Sequence, residues 1–359
     1  MSLDLGDDLV TLLRAIVDIE SVSGHEGPLA DEVETALRAC PHLEVERLGD
    51  AVIARTRLGR DERVVIAGHL DTVPVKDNLP SQVDEDAGRV YGRGTCDMKG
   101  GVAVMLSVAA ELSAPSRDVT WIFYDHEEVA ASANGLARVA RERPDLLEAQ
   151  FAVLMEPTGA RVEGGCQGTM RVELETTGVA AHSGRAWLGH NAVHDLAPVL
   201  ATLAAWHDAE IEVDGLLYHE GLNAVRISGG VAGNVIPDRA VVEINYRFAP
   251  DKSGEQAEAL VRGWFPGHRI TVTDLSPGAR PGLDRPAAQQ FLAAVGGEAR
   301  PKYGWTDVAR FSELGVPAVN FGPADPGKAH ADDEFCPIAD LDTCRTALVR
   351  WLRDSHPTR

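Results

Sequence analysis

The chain has 359 residues, 44% of them hydrophobic and 25% charged, which suits a soluble globular protein with room for two domains. Its formal net charge of −21 argues against nucleic acid or an anionic membrane surface as a partner. No apolar stretch approaches the ~20 residues that a membrane span needs. The acidic start, Met1-Ser2-Leu3-Asp4-Leu5-Gly6-Asp7-Asp8, lacks the basic and apolar regions of a secretory signal, so a cytoplasmic location is expected. The cysteines (Cys40, Cys96, Cys166, Cys336, Cys344) are odd in number and show no CxxC spacing, which speaks against a disulfide framework or a thiolate metal site.

Along the chain, Leu9, Leu12, Leu13, Ile16 and Val17 recur at helical spacing, so residues 8–22 predict an amphipathic helix that Ser21-Val22-Ser23-Gly24 breaks. Pro28 to Leu37 starts another. The run Val64-Val65-Ile66-Ala67-Gly68 predicts a buried strand, followed by a loop from Asp71 to Gly94 rich in Asp, Pro and Gly. Gly100 to Leu112 has the spacing of a buried helix, Val119 to Tyr124 reads as a strand, Gly135 to Arg143 as a helix, and Phe151 to Met155 as a further strand.

The texture changes near Gly164-Gly165-Cys166-Gln167-Gly168. Thr169 to Thr177 alternates as a half-buried strand does, a helix runs from Asn191 to about His207, and strands follow at Ala224 to Ser228 and Ala240 to Phe248. A helix at Glu255 to Phe265 and a strand at Arg269 to Asp274 complete the strand-helix-strand-strand-helix-strand order of a ferredoxin-like sandwich. After Ser276-Pro277-Gly278 helix and buried strand return, with Ala318 to Gly322 as the last strand. The expected fold is therefore α/β: a mixed, largely parallel sheet flanked by helices (1–165 and 277–359), with an inserted ferredoxin-like α+β domain (166–276).

The insertion is inferred from where the chemistry falls. His69-x-Asp71, Asp97, Glu127-Glu128, Glu156 and His330 each follow an apolar strand-like run or a glycine-rich turn. Ligands of open α/β sheets collect beyond the carboxyl ends of the strands. Two histidines and at least three carboxylates at one such rim suit a pair of divalent metals. Taken singly, each has a bland reading: Asp97 as a helix cap, the Glu pair as a solvated turn, Cys96 as a small buried residue. Only their common position at strand ends makes a site. Asp71 is placed to fix the tautomer of the His69 imidazole, and Asp97 opens a helix where one carboxylate can reach two cations. Adjacent residues on an extended backbone diverge, so one of Glu127 and Glu128 is expected to bind metal while the other faces substrate as a base. Arg185 and Arg247 offer guanidinium groups for substrate carboxylates.

The segments Gly68-His69-Leu70-Asp71-Thr72-Val73-Pro74, Gly92-Arg93-Gly94 through Asp97-Met98-Lys99-Gly100-Gly101, Glu127-Glu128, Met155-Glu156-Pro157-Thr158 and Ala329-His330 with the acidic residues after it stand in one order over nearly the whole chain. Ala181-His182-Ser183-Gly184 and Gly233-Asn234-Val235-Ile236-Pro237 join them within the insertion. Together they resemble the zinc aminoacylase and carboxypeptidase family of co-catalytic metallohydrolases, which includes desuccinylases and deacetylases of amino-acid synthesis. The resemblance implies two Zn2+ per subunit, with Co2+ able to substitute. Asp97 would bridge, His69 and Glu156 would hold one ion, and Glu128 and His330 the other. Asp71 would orient His69, and Glu127 would be the general base that takes the proton of the attacking water.

It further implies a homodimer formed through the inserted, lid-like domain, with His182 reaching a neighbouring active site to stabilise the oxyanion. Arg247 and Asn234, more than Arg185, would bind substrate. The segment that selects the acyl group, small and Gly/Ser-rich in the family, is here Tyr303-Gly304-Trp305-Thr306-Asp307, which includes Thr306 and a Trp305 able to narrow the pocket. Where the family often has Asp before its Glu pair, this chain has Asp125-His126, and His126 is expected to point away. Gly164 to Thr169 and Trp187-Leu188-Gly189-His190-Asn191-Ala192 match the branch that hydrolyses N-succinyl-LL-2,6-diaminopimelate in lysine and diaminopimelate biosynthesis. Acetylornithine deacetylation, or hydrolysis of another N-acyl amino acid or peptide, is the alternative within the class. A non-catalytic metal-binding scaffold is the alternative outside it, and would predict erosion of the ligands or base.

Overall fold

The computed structural model describes residues 3–354. Met1 and Ser2 of the acidic start, and residues 355–359 of the expected third segment, lie outside the described residues. Two compact units emerge. One takes in the chain up to Gly164, Pro281–Arg300 and the chain from Thr306 on; the other comprises Gly165–Arg280 and Pro301–Trp305.

The first unit is built on a sheet whose strands lie in the order Glu44–Leu48, Ala51–Arg55, Asp118–Tyr124, Arg63–His69, Phe151–Leu154, Ala318–Asn320 and Glu163–Gly164, with a short strand beginning at Arg300 at the end. The middle four run parallel, and the hairpin Glu44–Arg55 adds an antiparallel edge. Every residue of Asp118–Tyr124 and Phe151–Leu154 is buried. Helices covering both faces require such continuous apolar runs, where a half-exposed sheet would show alternation. Arg63–His69 precedes Asp118–Tyr124 on one side and Phe151–Leu154 on the other. The strand order reverses between Arg63–His69 and Phe151–Leu154, where α/β folds place their sites.

Helix Leu9–Val17 starts at Asp8, whose carboxylate accepts from the amides of Val10 and Thr11, and it buries the five apolar residues that predicted it. Helix Gly100–Glu111 has no polar face; Gly100 through Ala109 are buried, and it packs against helix Ile338–Arg353. Gly101 lets the start of this helix touch the end of a strand, because a Cβ there would lie 2.3 Å from the Met155 carbonyl oxygen. Any side chain at 101 would push the helix away from the sheet end that carries the site. Each Leu, Val or Met buried in this layer contributes about 1.5–3 kcal/mol relative to exposure.

The second unit is an antiparallel sheet ordered Ala209–Val213, Leu216–Gly229, Arg239–Phe248, Gly168–Thr177, Arg269–Ser276. Its own core gathers Met170, Val172, Leu174, Ile244, Phe248 and Val261 beneath helices Ala197–Ala204 and Gly254–Trp264. The ferredoxin-like order is present with one strand more than expected. Leu216–Gly229 begins well before Ala224, and it pairs with Ala209–Val213 through the turn Asp214 (φ 50°) and Gly215 (φ 81°). Asp-Gly is a strong two-residue hairpin signal, and both central φ values are positive as a type I′ turn demands. The expected helix from Asn191 to His207 is shorter, a turn at His194–Leu196 running into Ala197–Ala204. Pro198 lacks an amide proton and sits at the start of a helix, where none is needed.

Candidate metal centre

His69 closes its strand and is fully buried. Its Nδ1 lies 3.0 Å from the Asp71 carbonyl oxygen and its Nε2 3.1 Å from Asp97 Oδ1. A carbonyl only accepts, so Nδ1 carries the proton and Nε2 is turned toward Asp97. The ring is thus oriented first by the main chain of Asp71, whose carboxylate stands farther off at 3.5 Å. That carboxylate is engaged elsewhere. Oδ1 and Oδ2 each accept a backbone amide, from Glu127 and Glu128 at 3.0 Å, and Oδ2 also accepts the Ser23 hydroxyl at 2.6 Å. Burial opposes its charge, yet the nearby His69 imidazole, the Ser23 hydroxyl and the Glu127 amide bring its pKa down to about 2.

Asp97 sits in the distorted turn Thr95–Lys99, entered through Gly94 at φ 82°. A Cβ at Gly94 would lie 2.6 Å from Thr72 Cγ2, so glycine is needed for space as well as for conformation. The two carboxylate oxygens of Asp97 face different histidines, Oδ1 toward His69 and Oδ2 toward His330 Nε2 at 3.5 Å. Burial works against the charge, but hydrogen bonds from His330 and His69 hold this carboxyl well below the usual range.

The Glu pair lies beyond the end of its strand. The strand ends at Tyr124, and His126 (φ 59°) turns the chain before Glu127. One oxygen of each, and a ring nitrogen of His69, lie within 4.8 Å of one another. Burial pushes the Glu127 carboxyl well above its ordinary value; the nearby His69 opposes this, while Glu156, Asp307 and Glu128 add to it. His330, at φ 64° in the loop after Ala318–Asn320, places Nε2 2.9 Å from Glu128 Oε1. Hydrogen bonds to Asp97 and Glu128 raise the pKa of this imidazole to about 10 against a smaller effect of burial. Glu156 is buried two residues beyond Phe151–Leu154.

These side chains form overlapping groups of potential donors, each spanning no more than 4.8 Å: His69, Asp97 and Glu156; Asp97, Glu128 and His330; and His69, Glu127 and Glu128. The first two share Asp97. Four carboxylates against two imidazoles leave an excess of negative charge in a partly desolvated rim, and mixed imidazole and carboxylate donors fit zinc and similar divalent ions.

Other expected residues fall elsewhere. His182, Arg185, Asn234 and Arg247 belong to the second unit. There His182 bridges to Val235, and the Asn234 carbonyl accepts the amide of Ser183 at 2.8 Å, which holds the two motif segments side by side. Arg185 is exposed, its amide bonded to the His182 carbonyl at 2.7 Å. Arg247 forms no ion pair among the described residues, while Arg171 on the neighbouring strand pairs with Asp274 at 3.3 Å. Thr306 is buried and its hydroxyl donates to Asn320 Oδ1 at 2.9 Å. The Trp305 indole donates to the Pro277 carbonyl at 3.0 Å. His126 bonds Asp125 Oδ2 at 2.7 Å and stands 3.2 Å from Glu26 Oε1, outside the donor groups. Cys96 is buried, its thiol on the Asp325 carbonyl at 3.2 Å and its pKa raised by burial.

Sequence reasoning gave no role to three charged residues that the fold buries. Glu26 accepts the His126 amide at 3.1 Å. Lys99, though two residues from Asp97, reaches away to cap the carbonyls of Ile16 and Ile19 at 3.3 and 2.8 Å. Glu334 accepts the amides of Cys96 and Asp97 and pairs with Arg93. Its sequence signal was slight: the last acid of Asp332-Asp333-Glu334, abutting the apolar Phe335-Cys336.

A rim of this kind, at the strand reversal of a parallel sheet with an antiparallel insertion, defines a class. The sequence matches peptidase family M20/M25/M40 over residues 65–354, and the chain belongs to that family of hydrolases. Among its relatives, a protein of Mycobacterium tuberculosis named "Putative succinyl-diaminopimelate desuccinylase DapE" is 52% identical over 98% of this chain and 99% of its own length. The succinyl-diaminopimelate desuccinylase of Corynebacterium glutamicum is 46% identical over 98% of both chains. In fold, the chain is similar to the crystal structure of an M20 family metallo-carboxypeptidase, Sso-CP2 from Sulfolobus solfataricus, with a TM-score of 0.78 and 18% identity over 97% of this chain and 99% of that one.

Proposed function

We propose that this chain is a di-zinc amidohydrolase that cleaves N-succinyl-LL-2,6-diaminopimelate to succinate and LL-2,6-diaminopimelate, a step of lysine and diaminopimelate biosynthesis. The observation that carries the reaction class is the pair of donor groups sharing Asp97, with Glu127 beside them. The full-length similarity to the Corynebacterium glutamicum desuccinylase supports the substrate.

In this reading His69, Asp97 and Glu156 hold one ion, and Asp97, Glu128 and His330 the other. Bound zinc supplies a Lewis acid for the amide carbonyl and lowers the pKa of the attacking water. Glu127, with a carboxyl raised by burial, takes the proton of that water and delivers it to the departing amine. Asp71 serves both partners at once: its carbonyl sets the His69 ring, and its carboxylate fixes the amides of Glu127 and Glu128. Arg247, Asn234 and Arg185 hold the carboxylates of the substrate, and Thr306 borders the segment that selects the acyl group.

The protein acts in the cytoplasm as a homodimer through the second unit, with His182 stabilising the oxyanion in a neighbouring subunit's site. Exposed apolar side chains on this unit support that arrangement, Trp187 at 78% and Val231 at 85% exposure among them. No helix among the described residues is long and apolar enough to cross a membrane.

The deciding experiment compares zinc-loaded protein on N-succinyl-LL-diaminopimelate and on N-acetyl-L-ornithine. Preferred cleavage of the succinyl substrate is expected. Cleavage of acetylornithine alone would overturn the assignment in favour of the deacetylase.

A further inference from the structure

The loops that deliver the donors converge on one buried ion pair. Arg93 and Glu334 are 3% and 2% exposed, and Arg93 Nη1 lies 2.7 Å from Glu334 Oε2. The other oxygen, Oε1, accepts two consecutive backbone amides, Cys96 at 3.0 Å and Asp97 at 3.1 Å. The arginine reaches two further loops. Nη1 donates to the carbonyl of Ala331, next to His330, at 3.3 Å, and Nε donates to the carbonyl of Pro74, in the loop that leaves His69, at 3.2 Å. Backbone bonds reinforce the knot: the Gly92 amide on the Glu334 carbonyl at 3.2 Å and the Arg93 amide on the Asn78 carbonyl at 3.0 Å.

A buried ion pair is a poor device for stability, because desolvation of both charges offsets their attraction and a well-packed apolar pair commonly does as well. Apolar side chains could not make directed bonds to three separate loops. A guanidinium that donates to two of them, paired with a carboxylate that accepts amides of the third, can.

We propose that Arg93 and Glu334 are positioning residues of the metal centre: they hold the backbone at Asp97 in register with the loops of His69 and His330, so that the shared carboxylate is aimed at both cation positions before either ion arrives. The inference rests on the metal-centre reading above. Neither residue is a donor to the ions; each acts through the donors it fixes. Partners of this kind cost about 10–100-fold in metal affinity when removed.

The test is titration of metal-free protein with Co2+, followed by visible absorption and by calorimetry, for wild type, Glu334→Gln and Arg93→Lys. Glu334→Gln keeps the shape and loses the charge; Arg93→Lys keeps the charge and loses the fork. Glu334→Gln is expected to bind Co2+ about 10–100-fold more weakly, with an altered ligand-field spectrum at saturation, while its far-ultraviolet circular dichroism matches wild type. Arg93→Lys should lose about tenfold, and it decides the matter if Glu334→Gln does not fold. A merely structural pair would lower the melting temperature and leave Co2+ affinity and spectrum as they are. A folded variant that binds within about twofold of wild type, with the same spectrum, overturns the proposal. Wild-type protein that takes up no Co2+ or Zn2+ would instead remove the metal centre itself.

Discussion

The two ends of the parallel sheet treat buried charge in opposite ways. At the amino end, Asp118 opens a strand, and each of its oxygens meets a donor: the Thr56 hydroxyl at 2.8 Å, the Leu58 amide at 2.9 Å and the Arg60 amide at 3.0 Å. The Arg63 guanidinium stands 3.6 Å away and also donates to the Thr56 carbonyl at 2.9 Å. At the carboxyl end, Asp97, Glu127, Glu128 and Glu156 crowd around two imidazoles, and Glu127 is pushed upward by burial and by its acidic neighbours. A satisfied charge contributes to stability and does little else. A crowd of like charges costs stability and keeps an affinity for cations, which is what a hydrolytic site requires.

Removing divalent ions with a chelator is the severest test of that contrast. Turnover of succinyl-diaminopimelate should fall by at least about 10³-fold and return on adding Zn2+. Chelated, metal-free protein that kept its rate would dissolve the distinction between the two ends. Next in size, Glu127→Gln should lower kcat by about 10²–10⁴-fold, while elemental analysis finds the metal content of wild type. Loss of metal together with activity would make Glu127 a ligand, an outcome its place in a donor group with His69 and Glu128 makes worth measuring.

At the opposite end, Asp118→Asn should cost about 1–3 kcal/mol in denaturant unfolding and leave kcat unchanged. Burial raises the Asp118 pKa, but the Leu58 amide, Thr56 hydroxyl and Arg60 amide outweigh it, and the net shift is downward. A carboxyl whose folded pKa lies below its unfolded value of about 3.9 contributes full stability above that value. The contribution is lost as pH falls through the folded pKa, so the gap between wild type and variant should narrow below about pH 4 and vanish in stronger acid. A gap that widened there would reverse the sign and the argument. The smallest effect belongs to Thr56→Val, which removes one donor to Asp118 and the acceptor of the Val119 amide, 2.8 Å away. It should cost about 1 kcal/mol with activity intact.

What could be read from the sequence followed from period and position. Val64 to Gly68, Val119 to Tyr124 and Phe151 to Met155 are too apolar for anything but buried strands, so the polar residues directly after them had to gather at one rim. The geometry within the rim was less legible. One oxygen each of Glu127 and Glu128 lies within 4.8 Å of the other and of a His69 ring nitrogen, a closeness that adjacent positions in the sequence do not announce. Asp71 was read through its side chain, yet its carbonyl is the nearer partner of His69. Arg93 and Glu334 lie 241 positions apart, and an acid in a polar run looks like solvent-facing charge until the fold buries it. Ala209–Val213 was hidden for another reason: its burial alternates weakly, and only the Asp214-Gly215 turn announces it.

The pairing of Ala318–Asn320 with Phe151–Leu154 has a consequence for how the chain is made. In chain order, Phe151–Leu154 follows its neighbour Arg63–His69, and the bulk of the second unit comes before its other neighbour. That unit, made of antiparallel neighbours and one tight hairpin, can finish folding while the parallel sheet still has an open edge. His330 arrives last of the donors. Until Ala318–Asn320 is made, Phe151–Leu154 lacks the strand that covers its second edge, and an uncovered apolar strand edge is where chains associate wrongly.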